Sequence, residues 1–279
     1  MKTRYKLIFS ILASVFMFTS CTEEIDLELN DSFTRLVVEG NIGTDTVNQK
    51  IRLTKSTSYF YNQEPPVIQG ASVKVSDGTT IYNFIEDLNN PGYYISENPF
   101  AGVPGKTYSL DIQNVALEQN GDVQSYKAEE TMKQILIIDS IYAVRVNIFG
   151  NDGYIVYGFA QEPATPKDFY MWRYYVNNRL ITDTIDKVTF GSDEFVNGNY
   201  LSNLELGFFT EGKPGDTLTV ETNTITEDYY EFIITFMIET QFSGGGFTGP
   251  PANIKSNISN GAVGYFNTEA RSKISTILP

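Results

Sequence analysis

The chain alternates apolar and polar residues over short stretches, with a turn signal about every ten residues. Residues 35–40 (RLVVEG) and 50–54 (KIRLT) are runs of this kind, rich in Val, Ile and Leu, the period of a half-buried strand. Pro65-Pro66 interrupts the pattern before residues 71–76 (ASVKVS), where Ala71, Val73 and Val75 share one face. Asp77-Gly78 leads into residues 80–86 (TIYNFIE), and this pairing predicts a hairpin. Asn90-Pro91-Gly92 then turns into residues 93–96; residues 107–114 (TYSLDIQN) alternate again, and residues 124–131 (QSYKAEET) close a first block of strands. Strands and turns at this spacing predict a β-sandwich.

A second block begins near Ile135. Residues 136–149 (LIIDSIYAVRVNIF) read as a strand that turns at Gly150-Asn151-Asp152-Gly153 and returns through residues 154–160. Residues 169–176 (FYMWRYYV), 203–209 and 217–221 supply further strands. Residues 226–242 (TEDYYEFIITFMIETQF) break the period. Thr226 is an N-cap candidate, and Glu227 and Asp228 place negative charge in the first turn, where the helix dipole favours it. Tyr229, Ile233, Phe236, Met237 and Thr240 follow helical spacing, while Phe232, Ile234 and Ile238 fill the other side. The segment is a largely buried helix or a long strand, and the helix is the reading adopted. Gly244-Gly245-Gly246 ends it, and Pro250-Pro251 marks a loop.

The N-terminus is organised differently. Lys2, Arg4 and Lys6 precede an apolar run, residues 7–18, too short for a permanent bilayer span of roughly 20 residues. Basic leader, apolar run and small residues are the layout of a secretory signal peptide. Thr19 and Ser20 are followed by Cys21, the single cysteine of the chain. The arrangement resembles the lipobox of bacterial lipoproteins, in which such a thiol is acylated and becomes the new N-terminus. A buried structural thiol is the plainer alternative, against which the place of Cys21 at the end of the apolar run argues. The acidic residues after it, Glu23, Glu24, Asp26 and Glu28, resemble the signal that sends Bacteroidota lipoproteins to the cell surface; a solvated acidic tether is the alternative. The expected organisation is a signal peptide at 1–20, a tether at 21–33, a β-sandwich at 34–131 and a β-rich domain with one helix at 132–279.

Charge narrows the partners. Removing residues 1–20 leaves 17 basic against 34 acidic residues, a balance that disfavours nucleic acid and anionic lipid surfaces. With no histidine in the chain, Ser-His-Asp and Cys-His catalysis and His-bearing zinc sites are excluded. No phosphate-cradling glycine loop is present. Paired carboxylates remain open to glycoside hydrolysis. Asp183, Asp186, Asp193 and Glu194 form an acidic, turn-rich stretch able to offer oxygen ligands to calcium; their spacing is not that of an EF-hand, and solvated surface acids are the reading adopted, with no metal or cofactor expected.

The mature chain also carries ordered short motifs: Leu36-Val37-Val38-Glu39-Gly40, Ile68-Gln69-Gly70-Ala71-Ser72-Val73, Pro91-Gly92-Tyr93-Tyr94 and Gly105-Lys106-Thr107-Tyr108. Further on come Asp168-Phe169-Tyr170-Met171-Trp172-Arg173 and, near the end, Gly261-Ala262-Val263-Gly264-Tyr265-Phe266. In this order they resemble the Bacteroidota outer-membrane lipoproteins classed as domain of unknown function family 4249. That resemblance implies a surface accessory beside TonB-dependent receptors and supplies no catalytic residue. The first block is also similar to immunoglobulin-like or transthyretin-like modules.

Two residue classes are candidates for contact or modification. Tyr59, Phe60 and Tyr61 precede a proline break, and Trp172 lies among Tyr170, Tyr174 and Tyr175; in loops such rings bind ligands or partners, on strands they pack the core. Asp45-Thr46-Val47, Asp139-Ser140-Ile141, Asp183-Thr184-Ile185 and Asp216-Thr217-Leu218 each read Asp, hydroxyl, aliphatic, with Asp31-Ser32-Phe33 a looser version. They resemble the Bacteroidota O-glycosylation acceptor at Thr46, Ser140, Thr184 and Thr217; ordinary turn chemistry is the alternative. The expectation is an all-β, non-enzymatic, lipid-anchored accessory that captures a ligand for, or docks onto, a TonB-dependent receptor. The alternatives are a structural or adhesive lipoprotein and, last, a carboxylate-based hydrolase.

Overall fold

A computed structural model describes residues 34–57, 64–118, 121–164, 167–241 and 254–279. The leader and tether with Cys21, the motif at residues 31–33, Tyr59, Phe60 and Tyr61, the triple glycine at 244–246 and Pro250-Pro251 lie outside the described residues. Thr34–Pro279 forms one compact unit. Within it the fold is all-β with one helix among the described residues, and no helix there is long and apolar enough to cross a membrane.

The first block contributes β1 (Leu36–Gly43), β2 (Lys50–Lys55), β3 (Ser72–Ser76), β4 (Ile81–Glu86), β5 (Tyr93–Ser96), β6 (Thr107–Ala116) and β7 (Val123–Thr131). Their alternation resolves as expected. Leu36, Val38 and Ile42 of β1, Val73 and Val75 of β3 and Leu110 and Ile112 of β6 all point into one core. Each such side chain contributes about 1.5–3 kcal/mol on full burial. The Asp77-Gly78 hairpin forms because the Asp77 carboxylate accepts the Thr79 and Thr80 amides at 3.0 and 2.7 Å while Gly78 takes the left-handed backbone, φ +85. Lys106 Nζ at 2.6 Å from the other Asp77 oxygen holds that carboxyl well below its ordinary range.

The second block adds β8 (Ser140–Ile148), β9 (Asn151–Gln161), β10 (Phe169–Val176), β11 (Arg179–Leu180), β12 (Thr189–Ser192), β13 (Tyr200–Phe209), β14 (Thr217–Ile225), helix α1 (Glu227–Gln241) and β15 (Val263–Ile277). The helix begins where its cap predicts: Thr226 Oγ1 accepts the Tyr229 amide at 3.3 Å. The strand expected over 136–149 starts only at Ser140. Residues 136–139 run outside any ladder, Leu136 being held by Thr224 Oγ1 on its amide and Ser272 Oγ on its carbonyl. The turn also falls earlier than Gly150-Asn151-Asp152-Gly153. Ile148 pairs with Asn151, leaving a two-residue turn of Phe149 and Gly150 at φ +50 and +87, both positive as a type I′ hairpin requires.

The strands make two sheets. Eleven run in the order β11-β10-β14-β15-β1-β2-β5-β4-β3-β6-β7, with β12 also paired to β10; the other sheet is β13-β9-β8. The first-block end curls over its core, so that β7 meets the residues just before β15: the Ser259 amide donates to Lys127 O and the Lys127 amide to Ser259 Oγ, both at 2.8 Å. The three-stranded sheet packs on β10, β14 and the end of β15 around a second core with Trp172, Tyr174, Val156 and Leu218.

The C-terminal strand does not follow the expected division at 131/132. Residues 263–269 pair in parallel with β1, residues 270–277 pair antiparallel with β14, and Ile258, Phe266 and Ala270 pack in the first core. Gly264, φ +88, sits so close to Val38 O that a Cβ would overlap it, which is why the approach of these two strands needs glycine. Where β15 changes partners, the face opposite Trp172 carries buried charge. Glu269, 0% exposed, accepts a two-pronged contact from Arg173 at 3.0 and 3.1 Å, and two more bonds from Arg271, Nε at 3.0 Å and Nη2 at 2.8 Å. Arg173 and Lys273 also flank Glu221 at 3.3 and 3.0 Å, and Arg271 reaches Asp45 at 3.2 Å. Burial opposes ionisation of Glu269, but the two arginines outweigh it and hold the carboxyl down at about 2.

Candidate docking surface

The β8–β9 hairpin is apolar on both sides. Ile141 and Ala143 face the second core, whereas Tyr142 and Val144 face out, 38% and 40% exposed. Register continues the outer stripe across the sheet: Tyr142 lies opposite Tyr157, and Val144 opposite Ile155, which pairs in turn with Phe208 of β13. The tyrosine rings stack with centroids 5.2 Å apart, and the Tyr142 hydroxyl donates to Asn203 Oδ1 at 2.9 Å. The Phe208 ring lies over Gly153, where any Cβ would collide with it. At the tip, Phe149 is 101% exposed and occupies a left-handed backbone position where Asn or Gly is preferred. An exposed bulky ring in a disfavoured backbone state carries an energetic cost.

A second concave surface lies beside α1. Tyr229 and Phe232 of the helix meet Tyr265 of β15 at ring centroids of 5.1 and 5.0 Å. With Val38, Gly40, Lys50 and Gly264 they line a groove of about 290 Å³, at the small end of the roughly 300–1,000 Å³ of small-molecule pockets. It is aromatic as a capture site should be, and small for one.

Sequence comparison places residues 22–275 within the family described as a domain of unknown function, DUF4249. The chain belongs to the DUF4249 family. No curated protein matches it. Among solved structures, a chain titled "Cytokine receptor complex - Crystal form 1A" aligns over 86% of this DUF4249 chain and 94% of its own, at 8% identity and a TM-score of 0.25, a likeness too slight to show a shared fold.

The structure divides the residues expected to matter in this DUF4249 chain. Trp172 is not a surface contact: it is 4% exposed, in the second core beside Tyr170, with ring centroids 5.9 Å apart. The strand period explains this, since Tyr170, Trp172 and Tyr174 share the inward face of β10. Thr46, Ser140 and Thr184 are exposed, at the turn after β1, the first residue of β8 and the start of a 3-10 turn at Ile185–Lys187. Thr217 is half-buried, and its amide donates to Asn177 Oδ1 at 3.0 Å. Of the acidic stretch, Asp183 pairs with Lys187 at 2.8 Å in solvent, while Asp193 is buried away from it. Tyr142, Val144, Phe149 and Phe208 were not singled out by sequence. The available signal was the run Tyr142, Val144, Val146, Ile148, an alternation that reads as a core face until the turn position is known.

Proposed function

We propose that this chain is a surface-anchored outer-membrane lipoprotein, held by acylated Cys21, that acts without catalysis by docking onto a TonB-dependent receptor through the outer face of β8, β9 and β13. The observation that carries the reading is Phe149: a fully exposed ring on a left-handed backbone, at the tip of a hairpin whose outer face is apolar. On a chain with 34 acidic and 20 basic residues, such a face favours a protein partner over nucleic acid or anionic lipid. Aromatic anchors of this kind dominate interface energetics. The resemblance of the family to lipoproteins beside TonB-dependent receptors names the partner class. The non-catalytic reading is supported by the lack of histidine, which removes Ser-His-Asp and Cys-His catalysis, and by a family resemblance that supplies no catalytic residue.

The test is a cross-linked pull-down of the tagged, lipidated protein from its own outer membrane, read by mass spectrometry, beside the variants Phe149→Ala and Val144→Glu. A stoichiometric TonB-dependent receptor, reduced at least tenfold by either variant at unchanged melting temperature, is the expected result. Recovery of adhesins or other envelope machinery through the same face replaces the transport reading with the structural one. Recovery of the protein alone removes both.

A further inference from the structure

Three carboxylates from separate connections meet at one end of the second core. Glu162 follows β9, Asp168 precedes β10 and Asp193 follows β12. One oxygen from each lies within 4.8 Å of the others. Their main chains are tied together: the Asp193 amide donates to Asp168 O at 3.1 Å, and Asp193 O accepts the Val196 and Asn197 amides at 2.7 and 2.9 Å. Glu162 is oriented by the Tyr170 hydroxyl at 3.0 Å and the Gly198 amide at 2.6 Å.

The decisive group is Asp193. It is 1% exposed, and neither of its carboxylate oxygens has a hydrogen-bond partner. A buried carboxylate without a donor or counter-charge is costly. Among the described residues no Lys or Arg lies within 4 Å of Glu162, Asp168 or Asp193; neighbouring Lys167 instead pairs with Glu227 at 3.2 Å. The positive charge this geometry calls for is not supplied by these side chains.

We propose that Glu162, Asp168 and Asp193 bind a calcium ion that clamps the β9–β10 connection to the β12–β13 connection. The donor set is all oxygen, the preference of a hard cation. Calcium–oxygen bonds of about 2.3–2.6 Å allow two ligands to stand up to about 5 Å apart across one ion, which accommodates the spacing here. The ion would supply the partner that both Asp193 oxygens lack. The acidic stretch read from sequence contributes only Asp193 to this cluster; the other two ligands come from outside it. The site is separate from the docking face, and its test does not depend on that face.

The test uses the full chain, stripped with EDTA and titrated with calcium chloride by calorimetry and thermal melting. One site per chain is expected, with a rise in melting temperature of about 5–10 °C at a hundredfold excess over Kd. Asp193→Asn is expected to abolish the rise and to melt, in EDTA, no lower than the parent, because it removes an unpaired buried charge. Asp168→Asn, at a half-buried position, is expected to abolish the rise as well and serves if Asp193→Asn folds poorly. Asp183→Asn is expected to leave it intact. No calcium response in the parent, a response surviving Asp193→Asn, or an equal response to magnesium chloride would overturn the assignment.

Discussion

Replacing Arg173 by Met tests whether the buried charges under β15 hold the two cores together. Arg173 grips both oxygens of a carboxylate that is 0% exposed, and removing one partner of a buried pair costs about 3–5 kcal/mol. An independent route gives a similar magnitude. Holding Glu269 at about 2 against an ordinary 4.5, the net work of Arg173 and Arg271 together against burial, corresponds to about 3 kcal/mol at roughly 1.4 kcal/mol per unit. For a unit of this size each kcal/mol moves the melting temperature by about 2–4 °C, so Arg173→Met is expected to melt roughly 6–20 °C below the parent at pH 7. Arg173→Lys keeps the charge but not the planar fork and is expected between the two. The pH dependence has a definite sign. Because the folded carboxyl is depressed, its contribution is complete above about 4.5 and is lost as pH falls through about 2. Calorimetric melts from pH 7 to 2 should therefore show a parental acid loss that is shallower in Arg173→Met. A melt within 2 °C of the parent at pH 7, with the same acid slope, would refute the reasoning.

Two further outcomes are expected. Gly264→Ala forces a Cβ against Val38 O at positive φ, and denaturant unfolding should show a loss of roughly 2 kcal/mol or more as β1 and β15 separate. Intact-mass measurement of protein from its own membrane should show peptide from Cys21 onward plus acyl chains, with glycan mass at the exposed Thr46, Ser140 or Thr184 before the half-buried Thr217; peptide plus lipid alone removes the glycosylation reading.

What was legible in the sequence is what short-range chemistry determines. The Asp77-Gly78 hairpin and the Thr226 cap each depend on residues within a few positions of one another, and both form where expected. The β8–β9 turn was misplaced for the same reason: Asn151-Asp152-Gly153 is better turn chemistry than Phe149-Gly150, yet register across the whole hairpin selects the latter. Trp172 could be read as core or contact until its strand had a facing sheet. Charged residues read as surface by default, so Glu269, Arg173 and Arg271 gave no local sign of meeting inside. Glu162, Asp168 and Asp193 converge only because the end of β9, the start of β10 and the end of β12 lie together, which no spacing in the chain announces.

The divided pairing of β15 also bears on how the fold is reached. Thr44 and Arg271 meet across 227 positions, so the contacts that close the structure are among the most distant in the chain, a topology that folds slowly. Until residues 263–277 arrive, β1 and β14 each present an unsatisfied edge, the template on which strands of other chains add. Neither edge is closed without β15, so the unfinished chain has two open seams that one and the same strand seals.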